Sequence, residues 1–430
     1  MHTLFALITL ALAAAAFAFE GFGCLRTGDL RTALRRRFQE ERALFSEKGW
    51  PARQRLAQPL FLLALFVLLF GRIFLHASSL YTVTPAWVYD SMHLLYPITY
   101  TLLLIKFFFC TRYDLGQMLI SLGAFLLVLG VFSRAYDEDY FAFMGFALCA
   151  KNIDWRKTLA WFAGICLAFT AILALCAISG MLPMWYLRER LPRLEAGYEN
   201  PNHLSRVLLG AATAILLLVP AAKRRLAAVW LLLPLLLFIS HFPRTRSVCL
   251  TLIAMIAVCL LFPWLCRLLR LRPVRTLLCA SPFIAALCSY AAARCYTPES
   301  GALWQKIALF SNGRLKYWSM AAHSYTPHLL GQEIHYSLDG LVALDNSYLL
   351  LLYTGGILLF LAVLALCSAL IYRLLAARRY WLALIWLCWM IYGAFESFLL
   401  FPQSNFMALL FAPLLFKTAF PADGTPDASS

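Results

Sequence analysis

The sequence predicts an all-α, polytopic integral membrane protein, and three observations carry that prediction. Hydrophobic residues make up 62% of the 430 residues and charged residues only 13%, a balance typical of membrane chains and foreign to soluble globules. Apolar runs of about 17 to 22 residues recur from end to end, the length a helix needs to cross the hydrocarbon core. Charged residues collect in the short segments between them. Backbone polar groups in lipid must be satisfied within their own segment, so each run is expected to be helical.

The expected spans are residues 4–19, 59–75, 94–109, 115–132, 140–150, 158–179, 203–219, 226–240, 248–265, 276–293, 347–371, 380–398 and 406–420. The fifth is short and the last marginal, so the expectation is 12 or 13 transmembrane helices. Along the chain this gives a first span with a basic loop (1–58), an N-terminal membrane bundle (59–179), and a region rich in outward arginines (180–293). A large outward loop (294–346) with short helices, C-terminal spans (347–420) and a polar, disordered tail (421–430) complete it. The run 4–19 has only His2 as a basic group before it and no compelling cleavage site after it. It reads as an uncleaved first span and not a signal peptide.

Orientation follows from loop charge. Residues 20–55 carry nine Lys/Arg, including Arg35, Arg36 and Arg37, against five Asp/Glu, and the positive-inside rule assigns them to the cytoplasm. Alternation then places the basic segments 151–157, 223–225, 267–275 and 373–379 inside as well. These loops account for most of the formal net charge of +16, which anionic lipid and topology explain. With no zinc-ligand spacing, aromatic-basic RNA motif or glycine-rich phosphate loop, no nucleic-acid partner is expected. Thirteen cysteines are scattered without a CxxC pair and read as small apolar residues, not a disulfide framework. No internal repeat is evident.

The informative cations are those on the outward side, where membrane proteins avoid them. Arg188, Arg190 and Arg193 precede the turn Asn200-Pro-Asn-His203 and a span whose opening turns hold Arg206. Asn202 is the expected helix cap, and a helix N-terminus favours an anion. The loop trio also admits a solvated or lipid-facing reading, whereas Arg206 lies within the span and needs a cavity and a partner. Next, His241-Phe-Pro-Arg-Thr-Arg-Ser247 sets Arg244 and Arg246 around a hydroxyl, with Thr245 and Ser247 free to cap the following helix or bond an oxyanion. The planar guanidinium fork suits phosphate oxygens, although snorkelling would also explain such arginines.

The large loop holds Arg314, then His323 and His328, then Glu333, His335 and Asp339, and closes on Ala343-Leu-Asp-Asn-Ser-Tyr348. Residues 315–323 are expected to form a short amphipathic helix on the bilayer, with Tyr317 and Trp318 at headgroup level. Asp345 or Asn346 can cap the next span. The histidines are equally explained as surface residues, yet titratable groups beside outward arginines suit acid-base work on an anionic substrate. The carboxylates Glu333, Asp339 and Asp345 are too loosely spaced to specify a Mg²⁺ cage, and no metal or cofactor is expected.

In this order, an ENPNHLSRVLLG helix start, FPRTRS, NGRLKYW and LDNSYLLLLYTGGI resemble the O-antigen ligase and polymerase superfamily. DNSYL followed by TGG is most similar to the polymerases that join repeat units of capsule, exopolysaccharide or O-antigen. The likeness spans roughly residues 188–360; the first half matches only as hydrophobic spans. It implies an all-helical glycosyltransferase of the bacterial cytoplasmic membrane, with an outward catalytic face. Its donor would be an undecaprenyl-pyrophosphate-linked glycan, and its other partners membrane lipids and a chain-length regulator. Substrate binding would then fall to Arg188, Asn202, Arg206, Arg244, Arg246, Arg314 and Asn346, and proton transfer to Asp345, His335 or Glu333. Ligases of the superfamily commonly carry a His-Asn pair where this chain has Asp345-Asn346, which argues against a ligase. A ligase that moves finished glycan to another acceptor, and a lipid-linked oligosaccharide transporter, are the alternatives. Transport predicts charges or broken helices near the bilayer midplane.

Overall fold

A computed structural model describes residues 50–84, 94–186, 192–297, 299–311, 313–334 and 344–421. The first expected span, most of the basic segment after it, the tail, Arg188, Arg190, His335 and Asp339 lie outside the described residues. Helix dominates, and the named strands among the described residues are a two-residue pair, β1 (Trp185–Tyr186) and β2 (Arg193–Leu194), antiparallel with Trp185 opposite Leu194. Among the described residues seven helices are long and apolar enough to cross a membrane, so the chain is an all-α, multi-pass membrane protein.

The N-terminal half opens with α1 (Trp50–Leu69), which continues through a π-helical turn to Leu75, and α2 (Leu95–Ile105) packed along it. Asp114 and Gln117 close a capping box at the start of α3 (Leu115–Ala135), satisfying two of the orphan N–H groups of a helix start. Then come α4 (Asp139–Cys149) and α5 (Trp155–Ile178), the latter capped by Asp154. At 11 residues α4 is about 16 Å long, shorter than the hydrocarbon core. Along α5 lies α6 (Pro201–Leu218).

The expected span 226–240 is a helix in pieces: one turn Arg224–Ala227, a π turn Ala228–Leu232, then α7 (Leu233–His241). Pro234 is the cause. It has no N–H to return to the preceding turn, and the helix widens there. Continuous helices follow in α8 (Arg246–Leu268) and α9 (Arg272–Cys295). Two loop helices, α10 (Ala302–Phe310) and α11 (Arg314–Ser324), lead back to the bundle.

Two expected single spans are broken. The run 347–371 divides into α12 (Ser347–Tyr353) and α13 (Gly356–Ala376). Segment 328–332 of the large loop fills the break: Ile357 N–H donates to His328 O (2.9 Å), Leu358 N–H to Leu329 O (3.1 Å) and Gln332 N–H to Tyr353 O (3.1 Å). Freed backbone groups inside the protein must find such partners. Glycine allows the approach, because a Cβ on Gly331 would stand 1.9 Å from Thr354 O and one on Gly356 would stand 2.1 Å from Gly331 N. Both have positive φ, 79° and 75°. Gly331→Ala and Gly356→Ala are each expected to lower the thermal midpoint of the purified protein, by more than the roughly 1–2 kcal/mol of a left-handed alanine alone. A midpoint within a degree of the parent would refute the latch.

The run 380–398 likewise stops early, at the end of α14 (Tyr380–Gly393). Residues 394–405 turn back into the protein, with Glu396, Gln403, Ser404 and Asn405 all buried. Buried irregular backbone must find its hydrogen bonds inside the protein. Asn405 holds the turn, donating to Leu399 O (2.7 Å) and accepting from Met407 N–H (3.1 Å). A 3₁₀ turn Phe406–Leu410 and α15 (Phe411–Phe416) end the described chain. α14 is apolar on every face, as a central helix must be, and Trp381, Trp386, Trp389 and Tyr392 are buried in the core around it. Trp230, Leu175 and Leu287 are among the large apolar residues left exposed on the outside, the surface lipid requires.

Candidate functional site

The loops that carry these arginines meet at the end of the bundle where α6 and α8 begin and α14 finishes. Asn200, not Asn202, caps α6: its side chain accepts from Asn202 N–H (2.9 Å), and Pro201 occupies the first helical position, where its missing N–H costs nothing. That frees the Asn202 side chain, whose Oδ1 accepts from Arg193 Nη2 (3.0 Å) and Thr245 Oγ1 (3.3 Å). Arg193 also donates through Nε to Pro243 O (2.7 Å) and is buried. The solvated or lipid-facing reading therefore fails for Arg193, which clamps β2 to the loop before α8. Thr245 precedes α8 without capping it; its hydroxyl pairs with Ser205 (2.8 Å), tying α8 to α6.

These ties leave a cavity of about 220 Å³ lined by Arg193, Arg244, Arg246 and Arg314, with Asn202, Thr245, Ser247 and Ser311 between them and Leu250, Phe310 and Phe395 as apolar wall. Among the described residues its lining holds no carboxylate. Arg244 sits at a left-handed position (φ 56°) in the turn before α8 and is exposed. Backbone of this kind costs free energy and recurs where side chains are aimed at ligands. Arg246 is fixed by Nη1 donating to Leu309 O (2.9 Å) and Phe310 O (3.3 Å) at the end of α10.

Arg314 joins the cavity to an acid pair, Glu396 buried and Asp345 half-buried. Its Nη2 lies 2.6 Å from Glu396 Oε1 and its Nε 3.1 Å from Asp345 Oδ2, and Nη1 donates to Phe395 O. Glu396 is 2% exposed, and Ser247 Oγ donates to the same carboxylate oxygen at 2.6 Å. A charged carboxylate at this burial requires such partners. Ser347 Oγ and N–H hold the backbone carbonyl of Glu396 (2.6 and 3.1 Å), joining the start of α12 to the re-entrant segment. Asp345 is pushed up to about 6, first by burial and then by Glu396, against the pull of Arg314 and Arg206. A carboxyl so placed changes charge just below neutral pH, where proton transfer is efficient.

Asn346 does not face a ligand. It caps α12 by accepting from Tyr348 and Leu349 N–H (3.0 Å each), while Nδ2 donates to Ser289 Oγ (3.1 Å) and Ala394 O (2.8 Å). Fully buried and fully bonded, it positions its neighbour Asp345 and leaves no valence for substrate. α11 matches the expected helix within a residue at each end, but Trp318 is buried instead of interfacial, its Nε1 donating to Asp345 O (3.2 Å). Arg206 is buried and does not line the cavity, its guanidinium stacked 3.7 Å from the Phe398 ring centroid. Glu333 is exposed, beside the latch at Gly331, and does not line the cavity.

Of the candidate residues, the structure brings together Asn202, Arg244, Arg246, Arg314 and Asp345, while Arg206 does not line the cavity; Arg188 and His335 lie outside the described residues. Sequence reasoning missed Glu396. Its signal was present, because it is the sole acidic residue between Tyr380 and Phe420, and an ionisable residue in an apolar run marks a site by default. Among the described residues no group of three or more His, Cys, Asp or Glu is placed to hold a metal ion. Comparison with family models, with curated proteins and with solved structures finds no match.

Proposed function

We propose that the chain is a membrane glycosyltransferase that polymerises undecaprenyl-pyrophosphate-linked oligosaccharide repeat units on the outer face of a bacterial cytoplasmic membrane. The observation that carries the reading is the arginine-lined cavity at the end of the bundle, backed by the Asp345–Arg314–Glu396 cluster. An acceptor hydroxyl attacks the anomeric carbon of the donor glycan, and the bond from that carbon to the pyrophosphate oxygen breaks. The electron pair leaves with the pyrophosphate, whose growing charge Arg244, Arg246 and Arg314 stabilise. The hydroxyl proton passes to Asp345. Arg206 and Glu396 hold the cluster in register.

Purified protein given lipid-linked repeat units is expected to yield a ladder of chain lengths; no extension would overturn the reading. A single addition to a foreign acceptor would instead identify a ligase. The rate should fall as pH drops through about 6, because protonated Asp345 cannot accept a proton, and Asp345→Asn should remove that limb along with most of the activity. A limb that persists in Asp345→Asn would exclude it as the base. The break between α12 and α13 and the buried Arg314–Glu396 pair favour transport as the second reading, since carriers use discontinuous helices and buried charges. Flux of lipid-linked glycan across liposomes without change in length would establish it.

A further inference from the structure

A second cavity opens at the other end of the bundle. α13 runs about 31 Å from the latch at Gly356, and after a turn at residues 377–379 α14 returns toward Glu396. At that turn Arg373, Arg379, Thr418 and Phe420 line an open cavity of about 390 Å³ whose remaining walls are alanine. Small-ligand sites commonly hold roughly 300–1,000 Å³. Among the described residues its lining holds no carboxylate. Arg378 and Lys417, both exposed, flank the lining residues in the chain, so four cations stand at or beside one opening. Two of them hold strained positions. α13 and α15 are each followed by a left-handed residue, the place glycine takes by default, yet Arg378 (φ 56°) and Lys417 (φ 53°) occupy it. Glycine would close the same turns without the steric cost of a left-handed side chain. A cation at a helix C-terminus complements the helix dipole, but that requires neither a left-handed residue nor a cavity beside it.

The apolar side of the site narrows the ligand. On α13, Leu358, Leu361, Ala365, Tyr372 and Ala376 are exposed at helical spacing, forming one stripe that ends on the cavity-lining Ala376. α13 is long and apolar enough to cross a membrane, so this stripe faces acyl chains. Tyr372, 64% exposed near its end, is the aromatic residue expected at headgroup level. A phosphate taken by the guanidinium forks would have the Thr418 hydroxyl as a further donor and hydrocarbon alongside. Basic pockets at the ends of membrane helices suit such headgroups. A zwitterionic lipid would bring its own cation into a cavity with no lining acid to meet it, whereas an anionic lipid would not.

We propose that Arg373 and Arg379, with Thr418 and Phe420, form a binding site for the phosphodiester headgroup of an anionic phospholipid, one acyl chain lying along α13. The site does not depend on the polymerase reading. The test is native mass spectrometry of the full-length protein in detergent, titrated with dioleoyl phosphatidylglycerol or dioleoyl phosphatidylcholine. The parent should bind the anionic lipid about tenfold more tightly or better. Arg373→Ala should erase most of that preference, and so should Ala376→Trp, which keeps every charge and fills the cavity. Both residues are exposed, so the thermal midpoints should stay near the parent's. Arg156→Ala, which removes an exposed cation at the start of α5, should leave the preference intact. Equal binding of the two lipids, an unaffected Ala376→Trp, or an equal loss in Arg156→Ala would reduce the effect to diffuse charge and overturn the proposal. Glycerol phosphate offers the phosphate without acyl chains and should compete poorly. Displacement of the lipid by glycerol phosphate at equal concentration would make this a site for a soluble phosphate and overturn the proposal equally.

Discussion

Arg314→Ala is expected to destabilise the protein by about 3–5 kcal/mol, because removing one member of a buried ion pair strands the other charge. Glu396, at 2% exposure, would keep only Ser247 as a side-chain partner, and its backbone carbonyl is what joins α12 to the re-entrant segment. Desolvation sets the magnitude, since a carboxylate this deep has no water to fall back on. Thermal unfolding of the purified protein reads the effect directly. Arg314→Met combined with Glu396→Gln should recover much of the loss, because the stranded charge is then gone. If the single variant melts within about a degree of the parent, the ion pair is not holding this end of the bundle together.

Arg244→Ala should act on rate and not on fold. The side chain is exposed, and the hydrogen bond it makes to His241 O (3.0 Å) is local to its own turn, so the melting temperature should barely move. Loss of one charge-stabilising donor in a preorganised site commonly costs about 2.7–4 kcal/mol in barrier, or two to three orders of magnitude in rate. Chain extension from lipid-linked repeat units should fall accordingly in Arg244→Ala. Arg244→Lys should recover only part of it, since an ammonium cannot offer the two parallel donors of a guanidinium. Full activity in Arg244→Ala would remove this arginine from the site.

The comparison of these two arginines shows what a sequence can and cannot reveal. Both are visible as cations beside apolar runs, yet one lines the cavity while paired with Glu396 and Asp345 and the other is an exposed donor. Arg193 belongs to a trio that admits an anion-binding or a solvated reading, and it is instead locked between Pro243 and Asn202. Asn346 read either as a helix cap or, by the resemblance, as a substrate-binding residue, and its side chain is spent capping α12. For Arg193 the deciding contact is the carbonyl of Pro243, fifty residues along the chain, which no local pattern encodes, whereas the Asn346 cap is local. Glu396 and Arg72 were legible as charges inside apolar runs, but their partners Arg314 and Asp139 were not.

By itself the sequence determined that this protein is all-α and crosses the membrane repeatedly, because hydrophobic run length and backbone hydrogen bonding leave no other solution in lipid. It also located most helices to within a few residues and marked the loop cations worth following. Only the tertiary structure decided where the runs 347–371 and 380–398 break, because hydropathy does not register a helix that stops where another segment supplies its hydrogen bonds. It alone decided which arginines face a cavity and which are neutralised. Charge counts are local, whereas pairing and burial are set by helices that meet only in the folded chain.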